Sequence, residues 1–546
     1  MGRTIRIVNY AVNGSGVGHL TRLVALNRWI RRYAAHAGVR AEIYFLTSSE
    51  ADGMLFAERF ASFKVPSKTA VGDAGIDKIA YIALAKQWVW HSLGLLRPDL
   101  LVVDTFPRGS FGELLSALDL CRKRAFVYRP MKDSFAGKPD FQAMLPLYDA
   151  IIVPEDETHG RVQVPDEVRG RLRYVGPVAA RERVEMVPRA EARDRLGIQG
   201  ERLAIYVSAG GGGDPGAEAD LLAVARALKD DADVHLVVGA GPLYRGRSLH
   251  GERITWLTQP GVAALFEAMD LAVCAAGYNS FTELMHVGVP TIFLPQEKVA
   301  DEQHARADRA ARAGAAISVA RGDVSALRAA VDGFRDPAAR ARAAAAARAV
   351  VPKNHARDGA RELCKLVLTP SEVDAAGQAI TDDLLATARD LGLEIDPFLE
   401  LMRALDPIED GIGGIEAERA SAEATQLLRF AAEREIPIPA ALRIAGALCR
   451  KIGVASPEER AGAARSLLAH FKAFDDWGGA ATLLKVFGQE RQLTAAAFAG
   501  ELGSFLAGLT TRGEDLYRGI ARLSRAQGVG SDMPSNQDLL RAAAEG

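Results

Sequence analysis

Cysteine is scarce: four residues in 546, at Cys121, Cys274, Cys364 and Cys449, with no Cys-x-x-Cys pair. That excludes a disulfide framework and a thiolate zinc site and fits a reducing, cytoplasmic setting. Long apolar runs are missing too. A membrane span needs about 18 apolar residues, and the most apolar stretch, residues 271–295, is interrupted by Asn279, Glu283 and His286. The opening Met1-Gly2-Arg3-Thr4-Ile5-Arg6 carries no apolar core of a signal peptide and no small-residue cleavage site, so no export is expected. Only peripheral contact with a membrane stays open. The chain also lacks an excess of either charge, at −2 overall, and lacks a basic stripe with interleaved aromatics, so nucleic acid is not an expected partner.

What is present is the balance of an ordered globular protein, 49% hydrophobic and 25% charged, with length for about three domains. Charge is unevenly spread. Residues 369–546 hold 18 Lys/Arg against 27 Asp/Glu, a net −9; taken from the totals of 67 and 69, this leaves 49 and 42, or +7, for residues 1–368. The asymmetry supports separate units.

Residues 6–178 alternate short β-branched runs with helical patterns, the signature of a parallel sheet wrapped by helices. The runs are Ile5-Arg6-Ile7-Val8-Asn9-Tyr10, Ala41-Glu42-Ile43-Tyr44-Phe45-Leu46, Leu100-Leu101-Val102-Val103, Ala125-Phe126-Val127-Tyr128 and Ala150-Ile151-Ile152-Val153. A second series restarts at Leu203-Ala204-Ile205-Tyr206-Val207 and continues at Val234-His235-Leu236-Val237-Val238, Leu271-Ala272-Val273-Cys274 and Thr291-Ile292-Phe293-Leu294. The expected class is therefore α/β, with two Rossmann-like domains facing a cleft. The first spans residues 1–180 and the second residues 181–368, beginning with the link and helix at 181–195 and ending in Ala/Arg-rich helices. After Thr369-Pro370-Ser371 strand-like runs stop and apolar residues recur at helical spacing in 383–391, 423–434, 439–452 and 458–474, which predicts an all-α domain over 369–546.

Asn13-Gly14-Ser15-Gly16-Val17-Gly18-His19-Leu20-Thr21-Arg22 follows the first strand and opens a helix. Small residues at a helix N-terminus let backbone N–H groups approach an anion. The spacing G-x-G-x-G departs from the dinucleotide fingerprint, which disfavours a nicotinamide enzyme. His19 sits at the carboxyl edge of the sheet, where such folds place ligands. Asp104 ends another strand and points to that edge, so the two are a candidate base and orienter; the plain alternatives are a helix-capping histidine and a loop-capping aspartate. Ser208-Ala209-Gly210-Gly211-Gly212-Gly213 repeats the arrangement of strand, glycine loop and helix in the second domain.

Further on come Trp256-Leu257-Thr258-Gln259, Ala275-Ala276-Gly277-Tyr278-Asn279-Ser280-Phe281-Thr282-Glu283, Gly288-Val289-Pro290, and Asp301-Glu302-Gln303. This series resembles the donor site of GT-B glycosyltransferases, both the UDP-glycosyltransferase superfamily and the bacterial lipid II-forming N-acetylglucosaminyltransferases. Gly18-His19 resembles their acceptor-side loop, Asp104 the partner of their base, and Tyr174-Val175-Gly176-Pro177-Val178 the junction segment of the bacterial enzymes. The likeness covers residues 1–368.

The resemblance implies that Trp256 stacks on the uracil, Gln259 lies near base or ribose, and Glu283 accepts the ribose hydroxyls. Asn279 and Ser280, with Gly277 and Tyr278, would meet the diphosphate at their helix N-terminus, together with Gly16, Gly18, Ser208, Gly210, Gly211 and Gly212 of the loops. Glu302 and Gln303 would bind the sugar's hydroxyls. Each has a bland reading as well: Trp256 a core aromatic, Glu283 a first-turn helix acid, Glu302 and Gln303 solvated helix residues. Ala275 replaces the histidine of the plant signature, so phosphate neutralisation falls to backbone N–H groups and Arg22. Asp231-Ala232-Asp233 precedes its strand and reads as a loop, so no metal site is claimed.

The function implied is metal-independent, inverting transfer of a sugar from a nucleoside diphosphate sugar, UDP-linked, to an acceptor, with His19 as base and the domains closing around the donor. No cofactor is implied beyond the UDP-sugar co-substrate. The acceptor class, small molecule, lipid-linked or protein, is open; Trp90, His91 and the loop Tyr128-Arg129-Pro130-Met131-Lys132 are acceptor-side candidates. Two other readings compete: a UDP-sugar 2-epimerase of the same fold, which needs further acid/base groups around the sugar, and a non-catalytic nucleotide-sugar-binding scaffold. The helical tail is a candidate for oligomer or partner contact.

Overall fold

In the computed structural model, residues 3–12, 16–183, 186–187, 189–214, 216–258 and 261–391 are described, 381–391 by their backbone alone, with short pieces between 426 and 472. Thirteen strands form among them: β1 Thr4–Ala11, β2 Arg40–Thr47, β3 Ala61–Lys64, β4 Leu100–Asp104, β5 Lys123–Val127, β6 Ala150–Val153, β7 Leu172–Tyr174, β8 Leu203–Ser208, β9 Val234–Gly239, β10 Ile254–Leu257, β11 Leu271–Cys274, β12 Thr291–Phe293 and β13 Ala316–Ser318. They build a seven-stranded sheet ordered β3-β2-β1-β4-β5-β6-β7 and a six-stranded sheet ordered β10-β9-β8-β11-β12-β13. Pairing is parallel, with Ile7 opposite Leu100 in the first sheet and Leu271 opposite Ile205 in the second. These are two Rossmann-like α/β lobes of one doubly wound plan, whose strand order reverses between β1 and β4 and again between β8 and β11.

Both lobes owe their stability to central strands buried on two faces, which is why those strands read as unbroken apolar runs. In the second lobe Leu203, Ile205 and Val207 of β8 pack into one core with Leu221 and Leu327. Ala204 and Tyr206 of the same strand face the opposite core, with Phe281 and Phe293. That alternation is the period-2 geometry of a strand. The first lobe buries Val8, Tyr10, Leu101, Val103, Phe126 and Ile151 in the same manner.

The chain crosses between lobes twice. After β7 it passes through Gly176, and it returns after the helix Pro337–Val350, so that the helix Ala356–Cys364 packs back against β6 of the first lobe. Asn354 stitches the two crossings together: its Oδ1 accepts the Ala179 N–H at 3.0 Å and its Nδ2 donates to the Ala179 carbonyl at 3.1 Å. The His355 N–H donates to the Pro177 carbonyl at 2.8 Å. Gly176 has φ +91°, and a Cβ there would lie 2.5 Å from the His355 ring, so only glycine lets the crossings lie side by side.

Contacts group the described residues of 3–33 and 41–373 into one compact unit, and residues 34–40 with the described residues from 374 onward into a second. In the second, the helix Pro457–Lys472 buries Ala461, Ala464, Leu467 and Leu468. The expected helices at 383–391 and 458–474 fall within Pro370–Leu391 and on Pro457–Lys472; at 423–434 the described residues 426–428, 430, 431 and 433 are helical, and 439–452 lies largely outside the described residues. Among the described residues no helix is long and apolar enough to cross a membrane.

Candidate active site

The site begins where strand order reverses in the first lobe. β1 leads into the loop ending at Gly18, and the helix Gly18–His36 lifts His19 to the carboxyl edge of the sheet. β4 ends at Asp104 one strand away, and His19 Nδ1 meets Asp104 Oδ1 at 2.7 Å. The carboxylate is fully buried and accepts three more bonds: Arg22 Nε to Oδ2 at 2.8 Å, Arg22 Nη2 to Oδ1 at 2.7 Å and the Thr105 hydroxyl to Oδ1 at 2.6 Å. Burial by itself would raise its pKa; the Arg22 guanidinium and the His19 imidazole outweigh burial and hold the carboxyl well below the usual carboxylate range. Asp104 is therefore an anion at neutral pH. It fixes which ring nitrogen of His19 faces it, so that Nε2 is the nitrogen turned away. The imidazole also stacks on Phe106, 5.5 Å between centroids. Thr105 adopts φ +64°, an unusual conformation for a β-branched residue and one that clusters at functional sites.

Across the cleft the second lobe presents its own reversal point. Ser208 ends β8, its hydroxyl accepts the Gly210 N–H at 3.1 Å, and the glycine loop follows. A Cβ on Gly211 would lie 3.0 Å from the Gly16 Cα, so the two glycine loops touch and only hydrogen side chains permit it. After β11, Gly277 caps the helix Tyr278–Val287, whose first N–H groups lack carbonyl partners in their own helix. Asn279 Nδ2 donates to the Gly18 carbonyl at 3.1 Å, directly before His19. Tyr278 is buried; its hydroxyl accepts the Val178 N–H at 3.1 Å and donates to the Pro154 carbonyl, and its ring lies 5.0 Å from the Arg22 guanidinium. Ser280 is half-buried in the same turn.

Glu283 lies on this helix, half-buried. Burial pushes its carboxyl up to about 7, although an Ala180 backbone bond and the Arg181 guanidinium both favour the anion. Trp256 is half-buried in β10, opposite Val238, with its ring edge-on to Tyr244 at 5.4 Å. Gln259 lies outside the described residues, as do Asn13, Gly14 and Ser15 of the first loop.

Several placements differ from the sequence reading. Arg22 is assigned there to phosphate neutralisation, yet its guanidinium is buried and its Nε and Nη2 are bound to Asp104, because a buried carboxylate so near demands a cation. Gln303 is buried with its amide spent internally: Oε1 accepts the Gln296 N–H at 3.0 Å and Nε2 donates to Asp301 at 3.3 Å. Glu302, half-buried, caps the helix Gln303–Arg312 without a side-chain bond to it. Trp90 and His91 line a depression of about 770 Å³ with Pro98 and Asp99. Those last residues lead into β4, so this depression lies at the amino edge, opposite His19. The loop after β5 does reach the cleft: Arg129 pairs with Asp301, and Lys132 Nζ meets Glu297 at 3.0 Å. Burial alone would raise the Asp301 carboxyl; Arg129 and Arg306 bring it down to about 2.

Thr105, Asp301 as the acceptor of Arg129 and Lys298, which pairs with Asp214 beside the second glycine loop, escape the sequence reading. Thr105 is signalled only by adjacency to Asp104; the two ion pairs join segments too distant to show a pattern. Among the described residues no cluster of three or more His, Cys, Asp or Glu could hold a metal ion. Asp231 pairs instead with Arg335 and accepts the Asp233 N–H at 3.1 Å.

Two Rossmann-like lobes, with a histidine–aspartate pair at one reversal point and a glycine loop and helix N-terminus at the other, are the arrangement of the GT-B class, which this chain resembles. Residues 248–363 match the model of the glycosyltransferase family 28 C-terminal domain. Among curated proteins, the chain is 34% identical over 160 residues, 27% of its length, to the UDP-N-acetylglucosamine--N-acetylmuramyl-(pentapeptide) pyrophosphoryl-undecaprenol N-acetylglucosamine transferase of Sorangium cellulosum. It is 30% identical over 203 residues, 35% of its length, to the transferase of the same name from Cutibacterium acnes. The chain spans 40% and 53% of the length of those two relatives. Among solved structures, the calicheamicin glycosyltransferase CalG4 aligns with TM-score 0.45 and 17% identity, covering 68% of this chain and 100% of that one. Acinetobacter baumannii MurG aligns with TM-score 0.42 and 16% identity, covering 66% and 99%.

Proposed function

We propose that the protein is a glycosyltransferase that moves a sugar from a UDP-linked donor to an acceptor nucleophile across the cleft between its lobes. The observation that carries this reading is the opposition of His19–Asp104 to the second glycine loop and the Tyr278–Val287 helix, close enough for Asn279 to bond the residue before His19. The family 28 match over residues 248–363 supports it from the donor side.

In the proposed reaction the acceptor hydroxyl gives its proton to His19 Nε2 while its oxygen attacks the anomeric carbon. The bond from that carbon to the phosphate oxygen breaks, and its electron pair leaves with UDP. Attack opposite the leaving group inverts the anomeric centre. Asp104 stabilises the imidazolium that forms. Charge on the departing diphosphate is met by the N–H groups of the helix N-terminus and the glycine loop, a fixed electrostatic role that requires no divalent ion. Glu283 would hold the ribose hydroxyls, Trp256 the base, and Glu302 the sugar. The touching glycine loops would exclude water that otherwise hydrolyses the donor. A cytoplasmic location goes with this reading, since Cys121, Cys274 and Cys364 are buried thiols.

Radiolabelled UDP-N-acetylglucosamine and UDP-glucose, incubated with the full chain and candidate acceptors, test the proposal. Label transferred to an acceptor with UDP released supports it. Epimerised donor, or tight binding with no turnover on any acceptor while UDP stays intact, refutes it.

A further inference from the structure

The base pair of the first lobe is tied directly to the helix that faces it from the second. Asp104 shares its two oxygens between His19 and the fork of Arg22. The same guanidinium rests 5.0 Å above the ring of Tyr278, the first residue of the opposing helix. Tyr278 is itself pinned by the Val178 N–H and the Pro154 carbonyl, and its neighbour Asn279 holds the Gly18 carbonyl at 3.1 Å. Thus both sides of His19 in sequence, Gly18 and Arg22, are gripped by the first two residues of one helix.

We propose that Arg22 and Tyr278 are positioning residues that couple the His19–Asp104 pair to the Tyr278–Val287 helix, so that the base is set in its working state by the docking of the donor lobe. This rests on the transferase reading for its purpose, although not for its geometry. The physical ground is competition for one carboxylate. With the Arg22 fork in place, the negative charge of Asp104 is shared between the guanidinium and the imidazole, and only part of it acts on His19. Without the fork, Asp104 serves His19 alone and holds its proton more tightly. The Tyr278 face keeps the guanidinium over Asp104. The other charged groups nearby are Arg129, in the first-lobe loop after β5, and Asp301 of the second lobe, which pair with each other; Asp301 acts on Arg22, and Arg129 interacts with both Arg22 and Asp104.

The test is an imidazole titration of His19 by ¹⁵N-edited NMR on the full chain, assigned with His19→Gln, in the wild type, Arg22→Met, Arg22→Lys and Tyr278→Leu. Arg22→Met is expected to raise the His19 titration midpoint by about one pH unit, a tenfold tighter proton. Tyr278→Leu should move it the same way by less, and Arg22→Lys should restore it only in part, since a lysine cannot bridge both oxygens. If Arg22→Met fails to fold, the other two variants carry the test. A midpoint unmoved in Tyr278→Leu and Arg22→Lys, with native circular dichroism and UDP binding by calorimetry intact, overturns the coupling. A chain that shows the midpoint shifts but binds no UDP supports the coupling and sinks the transferase reading instead.

Discussion

Replacing Asp104 with asparagine probes the centre of the site. The carboxylate is buried and accepts four bonds, from His19, twice from Arg22 and from Thr105, all between 2.6 and 2.8 Å. Asparagine keeps the shape but removes the charge that matches a buried guanidinium, and breaking a buried pair from one side costs about 3–5 kcal/mol. Arg22→Met strands the carboxylate and should cost a similar amount. Together the two changes leave neither charge unmatched, so the double variant is expected to lose about 2–3 kcal/mol less than the sum of the singles. Urea unfolding followed by tryptophan fluorescence measures all four corners of this cycle. Additivity within about 0.5 kcal/mol would refute the shared-carboxylate account. Acid gives an independent check: because the folded pKa of Asp104 is depressed, its stabilisation is full above the unfolded value near 4 and is lost as pH falls below that. Asp104→Asn should flatten that acid limb.

His19→Ala is expected to lower transfer by about 10²–10⁴ in kcat while UDP affinity measured by calorimetry stays within twofold; unchanged turnover would remove the base. Glu283 has its folded pKa raised to about 7, so its favourable contribution is present below the unfolded value near 4.3 and disappears as pH rises through 7. Glu283→Gln should therefore stabilise the chain at pH 8 by roughly 2 kcal/mol after discounting for partial exposure, and should weaken UDP binding; a thermal melt at pH 8 with no gain counts against burial as the cause. Gly211→Val, whose side chain would press on the Gly16 backbone, should destabilise the chain by about 1–3 kcal/mol, read by a thermal melt, and reduce UDP affinity at least tenfold, read by calorimetry.

The centre of each sheet was legible because parallel strands buried on both faces leave unbroken apolar runs, as at β4, β6, β8 and β11. The strands without a matching run are β3, β7, β10 and β13, and these are the four edges of the two sheets. β3 is exposed throughout, and an edge strand with one wet side carries no continuous apolar signal. Around His19 the geometry was partly legible, since His19 and Asp104 follow strands that pair in register, β1 with β4. Less could be read of Arg22, because which cation a buried carboxylate recruits from 82 positions away is a tertiary matter. The bonds Tyr278 and Asn279 make to the first lobe likewise depend on how the two lobes meet.

The doubled crossing between lobes has a mechanical consequence. A single linker would let one half wobble about a point, like a ball on a string. Here Asn354 fastens the outgoing strand of chain to the returning one, giving two attachment points on a line, as on a door. Such a frame restricts any swing to one axis and returns the Tyr278–Val287 helix to the same residues, so in the proposed transfer the alignment of the reacting groups would be inherited from the joint.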